Sequence, residues 1–249
     1  MDERIALITG AASGIGAATA LRLAGNYAGI ALHTRQSREK LFHVASAVER
    51  KGSKVKIILG DLTDSTFATH LVDATIDHFG RLDVLIANAG FPVMKAFEEG
   101  TDTDLDHAFK GNVYSFFALA RSAAPMLKES PAGRIVAVGS INAHVFRTDM
   151  FTAPLSAASK GALETAVRSL ALHFGQAGVT VNCVVPGFIQ KDAGTEHTLN
   201  EQQIAEVEAK VPLGRMGRPA DVAAAIDFLI SRDARFITGQ SLHVNGGLI

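Results

Sequence analysis

The chain has no tryptophan, one cysteine and only two tyrosines among its 249 residues. A lone cysteine, Cys183, cannot close an internal disulfide and excludes a cysteine-rich zinc site. Neither sign of charge dominates. With 24 Lys and Arg against 25 Asp and Glu, the formal net charge is −1, and no global field draws the chain toward nucleic acid or anionic lipid. Long apolar runs are missing too. Met1-Asp2-Glu3-Arg4 opens acidic and leads into a short apolar stretch ended by Gly10, which fits neither a signal peptide nor a membrane span. No repeat, charge block or Pro/Gly/Ser linker divides the sequence. The expectation is a soluble, cytoplasmic protein with no metal, nucleic-acid or membrane partner. Residues 1–249 read as one α/β domain, long enough to bury its apolar surface without a disulfide or metal.

What is present is an alternation. Short runs rich in Ile, Val and Leu fall at residues 5–9, 30–34, 55–59, 84–87, 134–139, 180–185 and 241–244. They are apolar on both faces, as strands buried between helix layers are. Helical spacing fills residues 15–24, 38–51, 65–79, 102–127, 153–175 and 220–231; Leu163, Val167, Leu170 and Phe174 make one such apolar stripe. Strand–helix alternation implies right-handed crossovers and a doubly wound fold: a seven-stranded, mostly parallel sheet with helices on both faces. Tyr27 falls in the first helix-to-strand connection. From Phe188 to Lys210 the pattern is diluted by Gly, Thr, Asn and Gln, so residues 188–215 read as a loop with a polar helix, a lid over the carboxyl edge of the sheet.

Thr9-Gly10-Ala11-Ala12-Ser13-Gly14-Ile15-Gly16 follows the first strand and opens the first helix. Gly10 permits a tight turn, Gly14 a close approach by pyrophosphate, and Gly16 close packing of helix on strand. The helix N-terminus offers free N–H groups and partial positive charge to phosphates. The glycine spacing differs from the common G-x-G-x-x-G. A glycine-rich turn with no ligand is the plainer alternative, and its position after a first strand favours nucleotide binding.

These residues resemble the short-chain dehydrogenase/reductase family, and the resemblance runs almost end to end. Gly10, Ser13, Gly14, Ile15 and Gly16 look like its cofactor turn, Asn88-Ala89-Gly90 like its NAG motif, and Asp61-Leu62 like its adenine contact. Pro186-Gly187, with Ile189 just beyond, resembles its element beside the nicotinamide. The tail, with Val211-Pro212-Leu213-Gly214-Arg215, Pro219-Ala220-Asp221-Val222-Ala223, Thr238-Gly239-Gln240 and Asn245-Gly246-Gly247, is similar to members of the 3-oxoacyl-carrier-protein-reductase-like branch. The resemblance implies a Rossmann-type fold, an oxidoreductase using a nicotinamide dinucleotide, and a homotetramer paired through the helices at 102–127 and 153–175.

The acid that NAD-binding folds place on the ribose 2′-OH is missing, because the second strand ends at Thr34 and Arg35 follows. Without a carboxylate to repel a 2′-phosphate, and with the planar donors of Arg35 to bind one, NADP(H) is favoured; NAD(H) stays open, since Arg35 would equally suit a solvated loop. His33 is a further donor or a packing residue.

Carbonyl reduction needs a proton donor where negative charge develops on oxygen. In the family that work falls to Asn, Ser, Tyr and Lys, the last two four apart on one helix face. The resemblance assigns Asn112, Ser140 and Lys160 to three roles. Four residues before Lys160 stands Ser156 where the family has tyrosine, and seven before stands Ala153. Three readings follow. Ser156, or a water held by Ser140, Ser156 and Lys160, replaces the phenol; Tyr114 or His144 substitutes; or the chain binds a dinucleotide without hydride transfer, as a sensor or structural subunit. Phe91-Pro92-Val93-Met94, Ile141, Val145-Phe146 and Phe188-Ile189 suggest an apolar mouth for a small or medium carbonyl or alcohol, or else a subunit interface. Arg147 and Lys191 would meet an acidic group, or solvent.

Overall fold

A computed structural model describes residues 2–64, 66–90, 92–150, 152–190 and 200–248. Seven strands form one sheet: β1 (Asp2–Ile8), β2 (Tyr27–Thr34), β3 (Lys54–Leu59), β4 (Val84–Ala87), β5 (Arg134–Val138), β6 (Thr180–Pro186) and β7 (Ser241–Val244). Their order is β3-β2-β1-β4-β5-β6-β7, and every neighbouring pair is parallel. The doubly wound, Rossmann-type architecture expected from the strand–helix alternation is therefore what the chain adopts.

Helices cover both faces: α1 (Gly14–Leu23), α2 (Arg38–Arg50) and α8 (Pro219–Ile230) on one, α3 (Phe67–Phe79), α5 (Ser115–Glu129) and α6 (Pro154–Gly175) on the other, with the shorter α4 (Asp102–Phe109) packed on α6 and α7 (Glu201–Glu208) following residue 200. Alternation along each strand sorts the core in two. Leu7, Leu85, Ile135 and Val181 face α3, α5 and α6, while Ile8, Ile86, Val136 and Val184 face α1 and α8. β1 lies between β2 and β4, so the chain reverses its winding there and the loops after β1 and β4 diverge, opening a crevice at the carboxyl edge.

Two sequence expectations change. The helix expected over 102–127 is interrupted: α4 gives way to a π turn, Lys110–Tyr114, before α5 resumes. Gly111, a weak helix former, lies in that turn, and the Ser115 hydroxyl donates to its carbonyl. Tyr27 is not in a connection but begins β2, because the parallel pairing with β1 extends back to Asp2; its ring is buried, with the Arg4 guanidinium 4.6 Å from its centre. In the segment expected over 188–215, α7 is the polar helix, opened by an Asn200–Gln203 capping box. Residues 191–199 of that segment lie outside the described residues, as does Ser65, the expected start of α3.

Candidate active site

The crevice is a cleft of about 800 Å³ running from the end of β2 to the end of β6. Its first part is built from backbone. Gly10 (φ +66°) and Gly14 (φ +54°) adopt left-handed geometry that an L side chain resists, and a Cβ on Gly14 would meet nothing within 4 Å, so the space over the turn is open. Gly16 is the reverse case: a Cβ there would lie 2.2 Å from the Gly10 carbonyl oxygen and 2.6 Å from Asn88 Nδ2. Asn88 ties two loops together, its Nδ2 donating to the carbonyls of Thr9 (2.9 Å) and Gly10 (3.1 Å). The Thr9 hydroxyl returns the link by accepting from the backbone N–H groups of Asn88 and Ala89. An open turn at a helix N-terminus, braced this firmly, suits a dinucleotide pyrophosphate.

At the far end Thr34 and Arg35 line the cleft beside Leu62 and His107. Arg35 Nη1 lies 3.7 Å from Asp61 Oδ2, both side chains being partly exposed. Burial would push the Asp61 carboxyl up, but the Thr63 N–H and hydroxyl that bond it, together with the Arg35 charge, hold it below its ordinary value. His33 is not a spare donor. Burial lowers its pKa, and it sets Nε2 against the Gly60 carbonyl at 2.9 Å.

The other end is built from side chains. Ser140 ends β5, and its hydroxyl accepts from the Asn142 N–H while capping a 3-10 turn at Ile141–Ala143. Asn112 sits in the π turn and donates to the Ser159 hydroxyl, which donates to the Ser156 carbonyl. Lys160 is buried, and its Nζ donates to the Val138 carbonyl at 2.8 Å. Burial pulls its pKa down to about 8, with Cys183 and Glu164 opposing the shift. Gly90 leaves room for it: a Cβ there would lie 3.5 Å from Nζ. Ser156 is one turn before Lys160, and its hydroxyl is occupied. It accepts from the Val93 N–H at 2.7 Å and donates to the Val93 carbonyl at 3.1 Å.

Of the site residues expected from sequence, Gly10, Ser13, Ile15, Thr34, Arg35, Leu62, Asn88, Ala89, Gly90, Asn112, Ser140, Ser156, Lys160, Pro186, Gly187 and Ile189 share this cleft; Gly14, Gly16 and Asp61 are not among the residues lining it. His107, Val138, Gly139 and Asn142 also line it and were missed. Val138 and Gly139 close a strand the sequence already showed, whereas nothing marked His107 within an unbroken helical pattern. Neither tyrosine lines the cleft. Tyr27 is buried in β2, and Tyr114 faces a separate groove beside Lys110 and Arg121. His144 does not line the cleft either; it bonds Glu164.

The apolar mouth is smaller than expected. Pro92 and Ile189 line the cleft, but Ile141 and Val145 are buried against Leu248 with Phe188 packed on them, and Met94 and Phe146 are exposed. The cause is the chain terminus, which returns to cover the loop after β5. Arg147 is paired with Asp149 at 2.9 Å, while Phe91 and Lys191 lie outside the described residues.

A phosphate-ready turn at the switch point of a doubly wound sheet, with a buried lysine and two serines at the other end of the same cleft, defines a dinucleotide-binding protein of the Rossmann type. The chain belongs to the short-chain dehydrogenase/reductase family. The profile of Enoyl-(Acyl carrier protein) reductase matches residues 10–249. Versicolorin reductase stcU of Emericella nidulans is 35% identical over 99% of this chain and 96% of its own length. The 3-oxoacyl-[acyl-carrier-protein] reductase FabG of Aggregatibacter actinomycetemcomitans is 34% identical over the full length of both. A short chain dehydrogenase from Burkholderia cenocepacia J2315, solved in complex with NADP, superposes with a TM-score of 0.90 at 32% identity, covering 99% of this chain and 98% of that one. The protein is accordingly an oxidoreductase of this family, working with NAD or NADP. No helix among the described residues is long and apolar enough to cross a membrane.

Proposed function

We propose that the chain is an NADP(H)-dependent oxidoreductase that interconverts a carbonyl and an alcohol on a small or medium apolar substrate, through a site in which serine stands where relatives use tyrosine. The observation that carries this reading is the convergence of Ser140, Ser156 and Lys160 with the glycine turn in one cleft. Arg35, which follows Thr34 and not a carboxylate, favours the 2′-phosphate of NADP(H), and the NADP-bound relative supports the same choice. When bound, the reduced nicotinamide supplies the hydride. Asn88, Ala89, Gly90, Pro186, Gly187 and Ile189 shape the wall on which that ring would rest.

Ser140 keeps its own hydroxyl proton for the substrate oxygen, since its Oγ only accepts from Asn142. Lys160 is the titratable group at this end of the cleft, and with a pKa brought down to about 8 its ammonium is a competent acid near neutrality, directly or through a water held with the two serines. Asn112 holds Ser159 and so fixes the turn of α6 that carries Ser156 and Lys160. In this reading the lid expected over residues 188–215, of which 191–199 lie outside the described residues, stands as a cover for the substrate, and copies would pair through the helical segments at 102–127 and 153–175 toward a homotetramer.

One observation favours a second reading, a dinucleotide-binding relative without turnover: the Ser156 proton is already given to the Val93 carbonyl. NADPH absorbance followed with a panel of ketones and aldehydes, including 3-oxoacyl thioesters of the kind named in one relative, separates the two. The expected result is turnover by the parent chain and its loss in Lys160→Ala. NADPH binding without turnover in the parent, but with turnover in Ser156→Tyr, would establish the second reading instead.

A further inference from the structure

One buried charge has no part in the chemistry above. Glu164 follows Lys160 by one helical turn on the same face of α6, and its side chain is only 3% exposed. An unpaired carboxylate buried this deeply is costly, so its partners matter. His144 Nε2 contacts both carboxylate oxygens, at 2.8 and 2.9 Å, and the Ser241 hydroxyl donates to Oε2 at 2.8 Å. These partners come from the loop after β5 and from the edge strand β7. The carboxylate thus presses up under Gly139, where a Cβ would lie 3.1 Å from Oε1 and 2.9 Å from the Cys183 sulfur. Val138, the residue before Gly139, supplies the carbonyl that receives Lys160 Nζ. The lysine and the carboxylate therefore reach two consecutive residues of the β5 end from the same helix face, Lys160 at Val138 and Glu164 at Gly139.

We propose that Glu164 is a positioning residue for this site: its buried carboxylate, fixed by His144 and Ser241, is the counter-charge that keeps the Lys160 ammonium protonated in the cleft at neutral pH. The proposal rests on the reading that Lys160 is the working acid. Every charged or titratable group around the carboxylate can be named. His144 approaches from the 3-10 turn, and His243 stacks edge-on against it from β7 with ring centres 4.4 Å apart. Cys183 reaches from β6, and Lys160 and Arg168 lie on α6 itself. Burial raises the Cys183 thiol to about 12, so it brings no charge of its own. Burial first, then the neighbouring His144, lowers His243. Cys183 and Glu164 both oppose the burial that would otherwise discharge the Lys160 amine, and Glu164 is the carboxylate of the two.

Amine labelling with acetic anhydride across about pH 6 to 10, mapped to Lys160 by mass spectrometry, reads the neutral fraction of that side chain without any cofactor. The parent midpoint is expected near 8. Glu164→Gln keeps the shape and one acceptor oxygen while removing the charge, and is expected to lower the midpoint by about one unit. Glu164→Asp, which retains the charge, and His144→Gln, which retains the carboxylate, are each expected to stay within about half a unit of the parent. An unmoved midpoint in Glu164→Gln, or an equal fall in His144→Gln, overturns the proposal, the latter by making the effect one of packing. Failure of NADPH to bind would count against the proposed function and would leave this readout intact.

Discussion

The two ends of the cleft are made of different material. Between β2 and β4 the surface offered to a ligand is mostly main chain: the glycine turn, the first N–H groups of α1, and loops cross-braced by Thr9 and Asn88. Between β5 and β6 the side chains of Ser140, Ser156 and Lys160 take part, and Glu164 is buried one helical turn beyond the lysine. A backbone cradle tolerates change only where a Cβ fits, so its residue identities are dictated by space. A side-chain site is held by hydrogen bonds that can be re-made, so its residue identities are less tightly dictated by space.

The comparison is most easily broken at Gly16. Gly16→Val places carbon against the Gly10 carbonyl, and the expected outcome is loss of detectable NADPH binding by fluorescence, with stability lowered by about 1–3 kcal/mol in denaturant unfolding. A smaller effect belongs to Arg35. Arg35→Ala is expected to weaken NADPH by about tenfold or more while leaving NADH nearly unchanged; equal losses would remove the 2′-phosphate assignment. The reaction end is sharpened by pH. The Lys160 ammonium is present below its lowered pKa and lost above it, so kcat/KM for carbonyl reduction should fall as pH rises through about 8, with that limb absent in Lys160→Met residual activity. Smallest is Ser156→Ala. If the hydroxyl is a clamp on Val93, its loss costs about 1–2 kcal/mol of stability and changes turnover less than about twofold, whereas a large drop in turnover at unchanged stability makes the hydroxyl itself the donor.

Much of the first end was legible in the sequence because its signals are local. Seven short apolar runs alternating with amphipathic stretches led to the sheet, and a glycine turn directly after the first run led to the cradle. Boundaries shifted where pairing, not composition, decides them, as at Tyr27. The π turn was hidden because the apolar spacing continues through Lys110–Tyr114, and hydrogen-bond pitch leaves no mark on side-chain pattern. At the second end the decisive contacts join distant residues. Ser156 and Val93 are 63 positions apart, and Ser241 and Glu164 are 77 apart, so identity alone could not reveal that one hydroxyl was occupied and one carboxylate supported. Ile141 and Val145 look like mouth residues in sequence; only the returning Leu248 shows that they are covered.

The grip of Ser156 on Val93 constrains what can replace it. One side chain there does the work of a rung in a ladder, donating to and accepting from the same residue of the segment that leaves β4. Ser156→Tyr would introduce a phenol and release that segment in the same step, so the segment needs another hold before a phenol can be placed there without loss.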